Sequence, residues 1–195
     1  MILSNLEIQK ALDEGRLVID PEPSPRELKP GVKYCPYDTT AVDLKLHNQI
    51  SIPKGGTFAY DLTKSGSVSD FLARNSMKLV LTKEQPFPLE PKQFILAKTF
   101  ERIGLPTDKG PPYLAGRIEG KSSRSRCGVL VHFTAPTVHA GWNGPLTLEI
   151  INLGPTTFIL RPEMPIAQLI IEEVQGQLIQ NPSQFQNQST PEGLT

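Results

Sequence analysis

Apolar residues near the start of the chain change their spacing once, from helical to alternating. Ser4 and Glu7 stand at capping-box spacing, and Leu3 and Ile8 are placed to form a hydrophobic staple across a helix start. Ile8, Ala11 and Leu12 then share one face, and Gly15 supplies a stop. From Val42 the period falls to two, with Val42, Leu44 and Leu46 followed by Ile50 and Ile52. Residues 21–37, dense in proline and charge, read as an extended loop. Further strands are expected at 78–82, 93–101, 128–133, 146–151, 157–160 and 166–172. Short strands with Gly and Pro punctuation at fairly regular spacing predict a sandwich or barrel. From Gln175 onward the chain is polar, rich in Gln and Asn, and has no Lys or Arg after Arg161. By composition that segment reads as a disordered tail; its functional alternative is a flap that orders over a ligand.

Composition sharpens this picture. The 195 residues suffice for one well-buried domain, and 19 prolines with 15 glycines suit a β-rich chain better than a helical bundle. Lys plus Arg and Asp plus Glu are 20 each, which argues against a general nucleic-acid binder but leaves room for a local basic pocket. Apolar runs such as Phe94-Ile95-Leu96-Ala97 are too short to cross a bilayer, so no membrane role is expected. Met1-Ile2-Leu3-Ser4 carries no basic region ahead of an apolar segment, so no signal peptide is expected. Cys35 and Cys127 do not resemble a disulfide framework; two free thiols in a reducing cytoplasm are the expectation.

Two stretches bear candidate chemistry. Gly120-Lys121-Ser122-Ser123-Arg124-Ser125-Arg126 offers backbone N–H groups, hydroxyls and cations matched to the acceptor-rich surface of a triphosphate. A solvated charged loop is its plain alternative. Within Leu146-Thr147-Leu148-Glu149-Ile150-Ile151, alternation turns Leu146, Leu148 and Ile150 one way and Thr147, Glu149 and Ile151 the other. If the second face is solvent, Glu149 is an ordinary surface acid; if it lines a pocket, desolvation tunes it toward a general base. A cation such as Arg126 would oppose that tuning. His47, His132 and His139 show no metal-ligand spacing, and the zinc-deaminase signature is absent, so no zinc is expected. Nor is there a Gly-x-Ser-x-Gly elbow or a Walker A loop. Trp142, between Gly141 and Gly144, is either a core or turn anchor or an apolar wall for a sugar or base.

In this order the residues resemble the dCTP deaminase branch of the trimeric dUTPase-like family. The match starts at Met1-Ile2-Leu3-Ser4 and Asp13-Glu14-Gly15-Arg16-Leu17, and continues through Ala41-Val42-Asp43-Leu44 and Phe94-Ile95-Leu96-Ala97-Lys98-Thr99. It is densest from Gly116 to Val174. Glu119-Gly120-Lys121-Ser122-Ser123-Arg124-Ser125-Arg126-Cys127-Gly128 looks like the family's E-G-[RK]-S-S-x-x-R-x-G, and Val131-His132-Phe133-Thr134-Ala135 like its strand ending in Thr-Ala. Gly141-Trp142-Asn143-Gly144-Pro145-Leu146-Thr147-Leu148-Glu149 resembles G-[WF]-x-G-x-[IL]-x-L-E. Arg161-Pro162-Glu163-Met164-Pro165-Ile166-Ala167-Gln168-Leu169 follows R-P-G-M-x-I-x-Q-L, with Glu163 in place of the glycine.

The resemblance implies a mainly β fold, a distorted barrel of jelly-roll kind with a short N-terminal helix. It implies one domain over 1–174, a flexible 175–195 tail able to act as a lid, and a homotrimer with active sites between subunits. The implied reaction is hydrolytic deamination of dCTP to dUTP and ammonia without metal-activated water. Glu149 takes the general-base position, Ser122 and Arg126 stand near the reacting ring, and the Ala135 carbonyl helps position water. Lys121, Ser122 and Ser123 fall to the phosphates, with Mg²⁺ carried on the triphosphate, and Arg124, where the sequence departs from the pattern, adds a cation close to them. Trp142 packs beside the deoxyribose, while Val138, His139, Gln168 and Gln188 complete the nucleotide set, Gln188 reading the base.

Departures from the pattern matter too. His139 stands where dUTPases and bifunctional deaminase–diphosphatases carry a catalytic Asp, so little or no diphosphatase activity is expected; a His there could contact the sugar 3′-hydroxyl. Gln184 replaces a cation of the closing tail, whereas Arg124 and Ser125 replace an apolar and small pair and add a cation to the cradle. A dUTPase or bifunctional enzyme, and a catalytically silent dNTP-binding relative, are the alternatives. Inhibition by dTTP, found in many relatives, is a further expectation.

Overall fold

The computed structural model describes residues 1–56, 59–63, 68–181 and 183–195. Helix α1 (Asn5–Asp13) starts where the sequence places it, with the Ser4 hydroxyl accepting the Glu7 N–H at 3.3 Å. Leu3, Ile8 and Ala11 are buried beneath it. Gly15 leaves the helix at φ +66°, and the Arg16 N–H reaches back to the Ala11 carbonyl at 2.9 Å.

The strands are β1 (Val18–Asp20), β2 (Tyr37–Asp38), β3 (Ala41–Pro53), β4 (Ser76–Val80), β5 (Phe87–Leu89) and β6 (Phe94–Gly104). They continue with β7 (Tyr113–Gly120), β8 (Val129–Val131), β9 (Thr137–Val138), β10 (Asn143–Asn152), β11 (Phe158–Leu160) and β12 (Pro165–Val174). Two more helices are short, α2 (Val68–Arg74) and the single turn α3 (Ser122–Ser125). One antiparallel sheet runs β8-β10-β6-β3-β12-β7-β9, with β1 added to β6, and β2 and β4 added to β3; β5 and β11 form a separate pair. Register shifts interrupt β3–β6, β10–β6 and β12–β3, and irregularities of this kind bend and twist a sheet. The curl brings Gly120 at the end of β7 against Val131 of β8, so the two ends of the strand path approach one another.

A mainly β architecture, one long antiparallel sheet curled on itself behind a short N-terminal helix, is therefore what the chain adopts. Inside the curl, Val42, Leu44, Leu46, Ile95, Ile118, Leu148, Ile150 and Leu169 are almost completely buried in one core. The alternation read at Leu146, Leu148 and Ile150 holds: all three are buried, while Thr147, Glu149 and Ile151 lie half-exposed on the other face. Irregular chain fills the proline-rich stretch as far as Tyr37, where β2 begins.

Several elements were not foreseen. Strands of two or three residues (β1, β2, β5, β9) are too short to show a period. In β7 the alternation of Leu114 and Ile118 is broken by Gly116, where a side chain would stand 3.0 Å from Leu169 Cδ1. Close backbone approach rather than hydrophobicity fixes that position. Helix α2 holds Val68, Phe71 and Leu72 at i, i+3 and i+4, a one-turn stripe that the sequence reading passed over, and the helical turn α3 has no apolar residue.

The tail departs from its composition. Residues 183–195 lie across the β10–β6–β3 face, with Gln188, Pro191 and Glu192 buried. The Gln188 amide donates to the Pro145 carbonyl at 2.8 Å, Thr147 Oγ1 donates to the Pro191 carbonyl at 3.2 Å, and Lys98 donates to the Ser189 carbonyl. Backbone acceptors and one buried carboxylate anchor it, none of which a count of Gln and Asn reveals. Among the described residues no helix is long and apolar enough to cross a membrane. Cys35 and Cys127 are free.

Candidate active site

A cavity of about 430 Å³ opens between the curled sheet and the tail. Strand pairing builds its floor. Leu96 of β6 pairs with Glu149 of β10 on one side and with Ser51 of β3 on the other, while Lys98 pairs with Thr147. Directly paired residues project from the same face of a sheet, so Ser51, Leu96, Lys98, Thr147 and Glu149 share one surface. Leu96, Thr147 and Glu149 reach the cavity; the tail covers it with Phe185, Gln188, Pro191 and Glu192.

Glu149 therefore stands on a walled surface rather than in open solvent, and a histidine faces it. His132 Nδ1 lies 2.7 Å from Glu149 Oε2, although the contact is off-axis for a hydrogen bond. Its Nε2 lies 2.7 Å from the Ala135 carbonyl, and both residues line the cavity. The backbone at His132 is left-handed, φ +59°, an uncommon conformation for a side chain of that size and one that clusters at functional sites. Burial works against a charged imidazole here. The Glu149 carboxylate and the Ala135 carbonyl outweigh it and hold the His132 pKa above its ordinary 6.5. Within the chain, the basic side chain beside Glu149 is thus His132, not Arg126. His132 was passed over in the sequence because a histidine at the end of a strand carries no signal until the fold sets a carboxylate against it.

Trp142, Val138 and His139 form the opposite end of the cavity. Trp142 Nε1 donates to the Gly144 carbonyl at 3.0 Å, which holds the indole against the loop that leads into β10. His139 is exposed at the cavity mouth. Ala135, Val138, His139, Trp142, Glu149 and Gln188 are thus brought together within one chain.

The cradle is not part of this wall. Lys121 caps α3 from an extended conformation, and Ser122, Ser123 and Arg126 are exposed, away from the cavity lining. Lys121 is ion-paired with Asp43, a buried carboxylate that also accepts from the Tyr34 hydroxyl at 2.7 Å and from the Gln168 amide at 3.1 Å. Gln168 donates to Asp38 as well, at 2.9 Å. Lys121 and Gln168 thus form a polar cluster of their own around Asp43, at the rim where β12, β3 and the cradle meet. Within a single chain, the Glu149 cavity and the cradle with its Lys121–Asp43 cluster occupy two separate places. Among the described residues no group of three or more His, Cys, Asp or Glu could hold a metal ion.

Known proteins resemble the chain along most of its length. Residues 2–174 match the family model described as dCTP deaminase-like. A "dCTP deaminase, dUMP-forming" of Methanosphaera stadtmanae is 33% identical over 172 residues, covering 88% of this chain and 78% of that one. A "dCTP deaminase" of Photorhabdus laumondii is 38% identical over 179 residues, covering 90% and 86%. The solved structure of 2′-deoxycytidine 5′-triphosphate deaminase from Agrobacterium tumefaciens superposes with a TM-score of 0.61 at 18% identity, over 89% of this chain. The chain spans about half, 48%, of the length of that structure, which speaks to the fold alone.

Proposed function

The chain belongs to the dCTP deaminase-like family, and from that premise we propose that it hydrolyses the 4-amino group of dCTP, giving dUTP and ammonia. The observation that carries this reading is Glu149, a carboxylate on the floor of a largely apolar cavity, with His132 Nδ1 2.7 Å from its Oε2. Oε1 takes a proton from water as its oxygen bonds to C4, and the proton passes to N3. A second proton from the added hydroxyl goes by way of Glu149 to the amino nitrogen. The C–N bond then breaks, ammonia leaves, and C4 becomes a carbonyl. The Ala135 carbonyl orients the water, and Trp142 packs against the deoxyribose. In this reading carboxylate basicity, not a zinc ion, activates the water.

The substrate is the Mg²⁺ complex of dCTP, whose metal sits on triphosphate oxygens and needs no protein cage. Ser122, Ser123 and Arg126, exposed, and the half-buried Arg124 beside them supply hydroxyls and cations for those phosphates. Because they lie apart from the Glu149 cavity, a complete site takes its cradle from a neighbouring copy, consistent with a homotrimer having sites between subunits. dTTP, sharing the sugar and triphosphate, is the candidate inhibitor at the same place.

A specific observation bears on the product. His139, not an acid, stands at the cavity mouth, which favours dUTP over further hydrolysis to dUMP. Incubating the protein with dCTP and Mg²⁺ tests this. Ammonia with dUTP supports the reading, and ammonia with dUMP and pyrophosphate assigns a diphosphatase step as well. Tight dCTP binding without ammonia would make the chain a silent nucleotide binder. Glu149→Gln should abolish ammonia release while dCTP binding persists.

A further inference from the structure

Glu192 is the second carboxylate of the cavity, and no motif points to it. Only 4% exposed, it lies in the tail and lines the same wall as Glu149. Its Oε1 accepts the Ser51 hydroxyl at 2.6 Å. Its Oε2 is buried and has no hydrogen-bond partner among the described residues. Lys98 is near enough to feel its charge but donates to the Ser189 carbonyl rather than to Oε2. A buried carboxylate oxygen without a donor is costly and uncommon, so a group that completes it is expected to come from whatever fills the cavity.

Sheet register says where that oxygen stands. Ser51, Leu96 and Glu149 form one row across β3, β6 and β10, two strand spacings or about 10 Å from end to end. Glu192 is fastened at the Ser51 end of the row and Glu149 stands at the other, with Leu96 as the apolar floor between them. A pyrimidine ring fits that span, and its C4 substituent decides whether the Glu192 contact is favourable. Cytosine presents an amino group, a donor; uracil and thymine present a carbonyl oxygen, which a carboxylate repels.

Resting on the proposed deaminase reading, we propose that Glu192 is a specificity-determining residue whose Oε2 accepts a hydrogen bond from the exocyclic 4-amino group of the cytosine. The tail then does more than cover the site: it reads the group that is about to leave. Deamination exchanges that N–H donor for a carbonyl oxygen, so the same contact turns repulsive and favours release of the product.

The test is calorimetric titration of Mg²⁺–dCTP and Mg²⁺–dUTP into the full-length Glu149→Gln protein, with and without Glu192→Gln. Glu149→Gln stops turnover during the titration. With Glu192 present, dCTP is expected to bind about tenfold or more tighter than dUTP, as for a hydrogen bond to a charged group. With Glu192→Gln, which keeps the Ser51 contact but can donate to O4, that preference is expected to fall about tenfold or to reverse. Parallel weakening of both nucleotides, or no change in either, overturns the assignment and leaves Glu192 as a fastener of the tail. Failure of the Glu149→Gln protein to bind either nucleotide, with no ammonia from the unaltered chain, would remove the deaminase reading itself and this proposal with it.

Discussion

Glu101→Gln should make the protein more resistant to alkaline destabilisation. Glu101 is 1% exposed in the middle of β6, and burial pushes its pKa up to about 7. The Lys45 N–H, donating to Oε2 at 2.9 Å, opposes that effect and the Glu163 carboxylate adds to it. In the unfolded chain the same group titrates near its ordinary 4.5. Between those values the folded protein keeps a proton that the unfolded chain has lost. Stability from this group is therefore complete below pH 4.5 and is lost as the pH rises through about 7. A gap of about 2.5 pH units corresponds to roughly 3 kcal/mol. For a chain of this size that is a melting-temperature difference of about 6–12 °C.

Glutamine keeps the acceptor for Lys45 and carries no charge at any pH. Thermal melts of both proteins from acidic to mildly alkaline buffer should coincide below pH 4.5, diverge as the pH rises from there to about 7, and stay apart above it, the variant melting higher. The difference curve, not either profile alone, is the readout, because every other titrating group contributes equally to both. Parallel profiles across the range would refute the reasoning.

Two further outcomes follow from left-handed backbone. Glu163 sits at φ +61°, which explains why a glycine fits the corresponding place in the family pattern. Glu163→Gly should stabilise the fold by about 0.5–1 kcal/mol in denaturant titration, relief of strain exceeding the added chain entropy. By removing a like charge it should also move the Glu101 transition toward lower pH. His132→Asn keeps a residue type that tolerates φ +59° while deleting the imidazole. Since the His132 pKa is raised, its stabilising pair with Glu149 is complete below 6.5 and fades as the pH rises through the folded value. The variant should thus lose more stability in mildly acidic than in alkaline buffer, and turnover should lose the pH limb that belongs to the imidazole.

Legibility of the chain followed the range of the interaction concerned. The N-cap at Ser4, the stop at Gly15 and the alternation along β3 and β10 are set by neighbours a few residues apart, and the sequence displays them. Glu149 was visible as a charge inside an apolar strand, but whether its face was solvent or cavity depended on strands and a tail distant in sequence. His132 and Glu192 were invisible for the same reason. Each is an unremarkable polar residue until long-range pairing sets it against Glu149 or Ser51. The packing of residues 183–195 was not legible because composition reports the entropy cost of order and not the acceptors offered by another part of the chain. Lys121 was legible as a cation near phosphate chemistry; its pairing with Asp43, 78 residues away, was not.

Separation of the acid from the cradle leads to the sharpest test of the proposed assembly. If each site combines Glu149 of one chain with Arg126 of another, two inactive variants can complement each other. A protein bearing only Glu149→Gln has every cradle intact and no base, and one bearing only Arg126→Ala has every base and no cradle cation. Random mixing of equal amounts gives an intact acid half the time and an intact cradle half the time. About one quarter of the sites should then be complete, and ammonia release should recover to that fraction of the unaltered protein. If acid and cradle act within one chain, every site carries one of the two defects and mixing restores nothing. Co-expression with different tags and purification through both selects the mixed assemblies. Each mixed trimer carries one complete site in three, so recovery near one third after this selection would establish sites shared between chains, whereas activity no higher than that of the separate variants would refute the shared site and require the cradle to swing toward its own cavity.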